Sequence, residues 1–157
     1  MPARGCILVT GGCGYVGSHF ARAAHAGGSK VVVLDDLSAG TMPKLPEAVE
    51  IVRGDIADRT LVPRLLRDHP ITAVVHFAGK IQVGESVQKP RLYFEGNLTK
   101  SLALLDSVLD SEVRTFLFSS TAAVYGMPDE VPIPETARTQ PINPYGASKL
   151  MVERVLA

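Results

Sequence analysis

Short runs of apolar and β-branched residues alternate along this chain with longer segments whose apolar residues recur at helical spacing. That alternation is the signature of stacked strand-helix-strand units, and it commits the chain to a parallel sheet covered by helices. The predicted strands are Cys6–Thr10, Lys30–Asp35, Val49–Arg53, Thr72–His76 and Thr115–Ser119. All but the third are almost continuously apolar, as strands buried on both faces must be. The predicted helices are Val16–Ala26, Leu61–Asp68, Pro90–Leu109 and one running from Pro144 to the C-terminus, with Pro63 tolerable only in a first turn. Right-handed crossovers on this series give the strand order 3-2-1-4-5. In that doubly wound α/β arrangement, ligands sit beyond the carboxyl ends of the strands, where the order reverses. A length of 157 residues suits one such core and not two, so residues 1–157 are read as one domain. Pro128 to Pro144 reads as a long loop.

Composition removes several function classes. Sixteen basic and sixteen acidic side chains cancel, so no net field draws in nucleic acid or an anionic membrane, and neither is read as a partner. The longest apolar runs, such as Cys6–Val9 and Val31–Leu34, are strand-sized and far too short to span a bilayer. Met1–Thr10 lacks the apolar stretch of a secretory signal, which implies the cytoplasm. Cys6 falls in a strand and Cys13 in the turn after it, so both read as buried or loop thiols and not as a disulfide framework. No metal site is read.

The segment Thr10-Gly11-Gly12-Cys13-Gly14-Tyr15-Val16-Gly17 follows an apolar strand and opens a helix in G-x-x-G-x-x-G spacing. Gly11 permits the tight turn, Gly14 lets backbone N–H groups approach a pyrophosphate, and Gly17 lets the helix pack closely on the strand. The helix N-terminus then favours the anion. The second strand ends in Asp35-Asp36, where a carboxylate accepts hydrogen bonds from an adenosine ribose. The same charge repels a 2′-phosphate, and no arginine lies in the next several residues, so NAD is preferred to NADP. A solvated loop acid is the competing reading of that pair. Gly54-Asp55-Ile56 and His76-Phe77-Ala78-Gly79 close the third and fourth strands on the same rim and suit adenine and ribose pockets. His76 by itself reads as a packed strand-end histidine, and Lys80 equally as a phosphate contact or a solvated loop lysine.

The fifth strand runs into Ser119-Ser120-Thr121, and the last helix opens with Tyr145-Gly146-Ala147-Ser148-Lys149. Tyr145 and Lys149 are four apart, so both project from one helix face. An ammonium beside a phenol lowers its pKa from about 10, as proton abstraction requires. A Thr121 hydroxyl suits a substrate oxygen between them. Alone, a Tyr-x-x-x-Lys is a surface pair; after a dinucleotide turn, an acidic second strand and a hydroxyl cluster, it reads as a general base.

With those residues in place, the chain resembles the extended short-chain dehydrogenases/reductases, the NAD-dependent epimerase/dehydratase group with its Rossmann fold, and within it the UDP-sugar 4-epimerases. The likeness covers the whole chain and rests on seven segments: 10–19 (TGGCGYVGSH), 34–38 (LDDLS), 54–56 (GDI), 76–79 (HFAG), 83–90 (VGESVQKP), 118–126 (FSSTAAVYG) and 144–149 (PYGASK). It implies interconversion of UDP-glucose and UDP-galactose, in galactose metabolism, with NAD as cofactor and a UDP-sugar as substrate. NAD takes hydride from C4 while Tyr145 takes the hydroxyl proton; the 4-keto sugar rotates and receives the hydride back on its other face. Lys149 would hold the nicotinamide ribose and tune Tyr145, and Thr121 would bond the sugar O4. Tyr15 and Val16, within the glycine turn, and Ser119, after the fifth strand, would join the residues lining NAD. Pairing of the Pro90–Leu109 helix and the last helix between two copies implies a homodimer.

Three departures stand out. Ile81 occupies the position where the family usually has a lysine, with Lys80 one residue earlier, and a common asparagine pair reads Gly96-Asn97. Family members also continue into a C-terminal region that grips the UDP-sugar, so the chain reads as the NAD-binding portion without it, a fragment or a natural truncation. Two other functions stay open: an NAD-binding module without turnover, and a nucleotide-sugar dehydratase or reductase. Dehydratases typically carry Thr-Asp-Glu where this chain has Thr121-Ala122-Ala123, which removes the acid and base for eliminating water.

Overall fold

Strands rich in valine, isoleucine and leucine bury both faces only if helices cover them, and the computed structural model, which describes residues 5–38 and 45–157, shows that outcome. The reading of Met1–Thr10 rests in part on residues 1–4, outside the described range. Strands β1 (Cys6–Thr10), β2 (Lys30–Asp35), β3 (Glu50–Arg53), β4 (Ile71–His76) and β5 (Thr115–Phe118) form a parallel sheet in the order β3-β2-β1-β4-β5, as the crossover rule requires. The register pairs Thr10 with Leu34 and with His76, and His76 with Phe118. The carboxyl ends therefore reach one rim, with the reversal between β1 and β4.

By contact density the chain divides into two compact units, Met1–Ala78 with Ala103–Ser119, and Gly79–Leu102 with Ser120–Ala157. The first holds the whole sheet. Because strand side chains alternate between faces, Cys6, Leu8, Val32, Leu34 and Val74 form one core with Val62, Leu65 and Leu66 of helix α2 (Leu61–Asp68), joined by Leu104 and Val108. Val9, Val31 and Val33 form the other, against Ala21 of helix α1 (Tyr15–Ala26). Pro63 is the third residue of α2, in the first turn where its missing N–H costs nothing. Asp58 starts that helix by accepting the Thr60 and Leu61 N–H groups, each at 2.8 Å.

The second unit is built on helices α3 (Val83–Gln88) and α4 (Pro90–Tyr93), a π-helical turn at Phe94–Thr99, the start of α5 (Lys100–Leu109), a 3₁₀ turn at Ala122–Tyr125, and α6 (Pro144–Leu156). The single helix expected from Pro90 to Leu109 is thus wound as α, π and α. Asn97, inside the wide turn, is held by tertiary bonds to Lys80 and Ser148, which no helical periodicity in the sequence reveals. Helix α3 lies outside the predicted helices, because six residues carry too little periodicity to mark one. At the strand ends, Val49 lies before β3 in a turn, its N–H donating to the Pro46 carbonyl, and Ser119 lies just past β5. Among the described residues, no helix is long and apolar enough to cross a membrane.

Candidate active site

The glycine turn is shaped by contacts that exclude side chains. Gly11 adopts φ +69°, donates its N–H to the Leu34 carbonyl at 2.9 Å, and a Cβ there would fall 2.5 Å from the Ala78 nitrogen. A Cβ on Gly17 would lie 2.3 Å from the Gly11 carbonyl oxygen, so α1 packs directly on the turn. Gly14 is the N-cap of α1, no side chain caps that end, and its first turn carries no acidic residue. Gly14, Tyr15 and Val16 are exposed there. Backbone N–H groups at an open helix N-terminus suit an anion, so the cradle fits the pyrophosphate of a dinucleotide.

Asp35 braces this turn from the end of β2. One carboxylate oxygen accepts the Cys13 N–H and the other the Leu37 N–H, both at 2.8 Å. Each oxygen retains a lone pair for a ribose hydroxyl. Asp36 is exposed and accepts the Ser38 N–H, while Asp55 accepts the Ala57 N–H. Ile56 is packed in the core, and Phe77 lies against Phe20 with ring centroids 5.5 Å apart. Ala78 abuts the Gly11 turn, and the Ser119 N–H donates to the His76 carbonyl. His76 is fully buried between the Thr10 hydroxyl, at 2.6 Å, and the Phe118 ring: the packed strand-end histidine expected. Cys13 is buried, and desolvation pushes its thiol up to about 11, as a structural cysteine behaves.

In the second unit, Asn143 caps α6 by accepting the Gly146 N–H at 2.8 Å, and Pro144 occupies the first helical position. Tyr145 is half-buried; Lys149, one turn on, is only 5% exposed. Burial pushes the Lys149 ammonium down to about 8, with the Glu153 carboxylate acting in the opposite direction. A Cβ on Gly146 would lie 2.5 Å from the Ala123 carbonyl oxygen, so only glycine lets α6 approach the 3₁₀ turn this closely. Thr121 caps that turn: its Oγ1 accepts the Ala123 N–H at 3.2 Å and keeps its own proton for a ligand oxygen. A Cβ on Gly79 would lie 3.9 Å from Lys149 Nζ. Within this unit Gly79 therefore lies beside Lys149, and the turn that Thr121 caps lies against the helix carrying Tyr145 and Lys149.

Sequence reasoning assigns no role to the residues that hold this group in place. Asn97 accepts the Lys80 N–H at 2.7 Å and donates to the Lys80 carbonyl and to Ser148 Oγ; Ser148 in turn donates to the Tyr145 carbonyl. Lys80 is thus anchored through its backbone, and the stem of its side chain covers Gly96. The buried Tyr93 meets the Tyr145 ring edge-on, with centroids 6.4 Å apart. Its hydroxyl donates to Glu85 and accepts the Gln82 N–H, both at 3.0 Å, which pins the short helix α3. Ser148 lies inside the 144–149 segment, and Asn97 stands out in the sequence only as the one member left of the family's asparagine pair; nothing local marks Tyr93.

Residues 7–157 match the NAD dependent epimerase/dehydratase family. The UDP-glucose 4-epimerase of Azospirillum brasilense is 53% identical over 150 residues, covering 96% of this chain and 43% of that protein. Among solved structures, the UDP-glucose 4-epimerase of Brucella ovis in complex with NAD superposes with a TM-score of 0.93 at 38% identity, over 97% of this chain and 46% of that one. The enzyme from Stenotrophomonas maltophila, with bound NAD and formylated UDP-arabinopyranose, gives 0.91 at 40% identity, over 98% and 48%. The chain spans less than half the length of the curated relatives it matches.

Proposed function

Because the chain belongs to the NAD dependent epimerase/dehydratase family, we propose that it is the NAD-binding part of a UDP-glucose 4-epimerase and serves galactose metabolism. One observation carries the reading: a buried lysine one helical turn from a half-buried tyrosine, on a helix packed against the turn that Thr121 caps. The open N-terminus of α1 receives the pyrophosphate, and Asp35 with Asp36 receives the adenosine ribose. NAD, when bound, supplies a reversible hydride acceptor for C4 of the sugar.

The remaining work belongs to side chains. Tyr145 Oη takes the proton of the C4 hydroxyl as general base and returns it as general acid. Thr121 Oγ1 donates to the sugar O4 and keeps it at hydrogen-bond distance from that phenol. Lys149 holds the nicotinamide ribose, its ammonium stabilising negative charge on the phenolic oxygen. Ala122 and Ala123 leave no carboxyl group beside Thr121, which favours epimerisation over loss of water. A homodimer through α6 and the Pro90–Leu109 helix is part of the proposal, supported by the exposed Met151 and Val155 one turn apart on α6.

The test joins the chain to the C-terminal region of the Azospirillum relative and follows conversion of UDP-galactose to UDP-glucose. Tyr145→Phe is expected to lower the rate by roughly 100-fold or more, the usual contribution of a positioned acid-base group. Full activity in that variant would sink the assignment, and a product lacking water would replace it with dehydration.

A further inference from the structure

Helix α6 carries a third polar residue in register with the pair already described. Tyr145, Lys149 and Glu153 recur every four residues and so lie along one helix face. The half-buried Glu153 accepts a hydrogen bond at Oε1 from the hydroxyl of Ser120, the residue immediately before Thr121. We infer that Glu153 is a positioning residue of this site: its bond to Ser120 ties the segment carrying Thr121 to α6, and its carboxylate stabilises the buried Lys149 ammonium. This rests on the reading of Tyr145, Lys149 and Thr121 as the reacting group.

The physical need is plain. An ammonium removed from water requires an opposite charge or close hydrogen-bond partners, or it sheds its proton. Desolvation lowers Lys149, and the charge acting against that loss is Glu153's. Elements packed against α6 carry other titratable groups: Glu85 on α3, with Lys89 between it and α4, Arg91 and Tyr93 on α4, Glu95 in the π turn and Tyr125 in the 3₁₀ turn. Glu85 is engaged by Tyr93 and Lys89, and Arg91 pairs with Glu95, so these charges largely answer one another. Glu153 faces the lysine from its own helix, and Ser120 fixes which way the carboxylate is held.

The experiment needs no turnover. The ¹³Cε signal of Lys149 in the chain, assigned by its loss in Lys149→Arg, is followed against pH. A midpoint near 8 is expected for the parent. Glu153→Gln keeps the acceptor for Ser120 and deletes the charge, and it should lower the midpoint by about half a pH unit or more. An unmoved midpoint overturns the inference, even if thermal stability falls, because a purely structural role would touch only stability. Should Glu153→Gln fail to fold, Ser120→Ala reads the same question: releasing the carboxylate lowers the midpoint if the inference holds and leaves it unchanged if it does not. Calorimetry with NAD on the parent chain separates the two readings, since lost NAD binding would sink the epimerase proposal and leave the lysine titration standing.

Discussion

The buried Lys149 sets the chemistry proposed for it against the stability of the fold. Its ammonium ordinarily titrates near 10.5 and is pushed down to about 8 by burial. That gap corresponds to a cost of roughly 3 kcal/mol for keeping the group charged in the fold. The folded chain holds this proton less tightly than the unfolded chain does. Between pH 8 and 10.5 the unfolded state therefore binds more protons and stability rises with pH; below 8 the cost is present in full. Lys149→Met, of similar length, is accordingly expected to stabilise the chain at pH 7 by about 1–3 kcal/mol. The advantage should fade as pH approaches 10.5. Urea melts across that range would show it, and a variant that melts earlier than the parent at pH 7 would contradict it. On the proposed reading, such a residue is retained for function at the expense of stability.

At the scale of elements, the start of α1 shows how two glycines in one motif do different work. A methyl group on Gly17 would meet the Gly11 carbonyl oxygen at 2.3 Å, backbone against backbone, and only displacement of the helix could relieve it. On Gly14 the contact would be 3.3 Å, with an ordinary φ of −72°. Gly17→Ala should therefore cost about 2 kcal/mol or more of folding stability. Gly14→Ala should cost about 1 kcal/mol or less, while weakening NAD binding because its methyl sits where the pyrophosphate approaches. Urea melts paired with NAD calorimetry separate the two, and equal losses of stability would refute the division. Helix α3 makes a complementary point. Six residues do not sustain a helix in water, and this one persists because Tyr93 grips both Glu85 and the Gln82 amide.

On the scale of the whole molecule, the order β3-β2-β1-β4-β5 brings the Gly11 turn, Asp35 and the His76–Ala78 segment to one rim of the sheet. A dinucleotide bound there stabilises the native state by mass action, about 2.7 kcal/mol at a hundredfold excess over Kd. NAD is thus expected to raise Tm by roughly 5–10 °C for a chain of this size. NADP should raise it far less, since its 2′-phosphate would meet the Asp35 and Asp36 carboxylates. Thermal melts with each cofactor settle the preference, and equal shifts would remove it.

The strand order, the glycine turn, the acidic end of β2 and the tyrosine–lysine stripe were all legible from the amino-acid sequence, because each is local. An apolar run marks a buried strand, chirality orders the crossovers, and residues four apart share a helix face whatever lies around them. Tertiary structure alone decided what surrounds those features. Asn97 joins Lys80, 17 residues away, to Ser148, 51 away; Ser120 reaches Glu153 across 33 residues. The π turn is fixed by such contacts, and α3 survives through Tyr93, 8 and 11 residues from its partners Glu85 and Gln82. Spacing along the chain encodes which residues share a face, but whether that face meets water or an opposing charge depends on how distant segments pack.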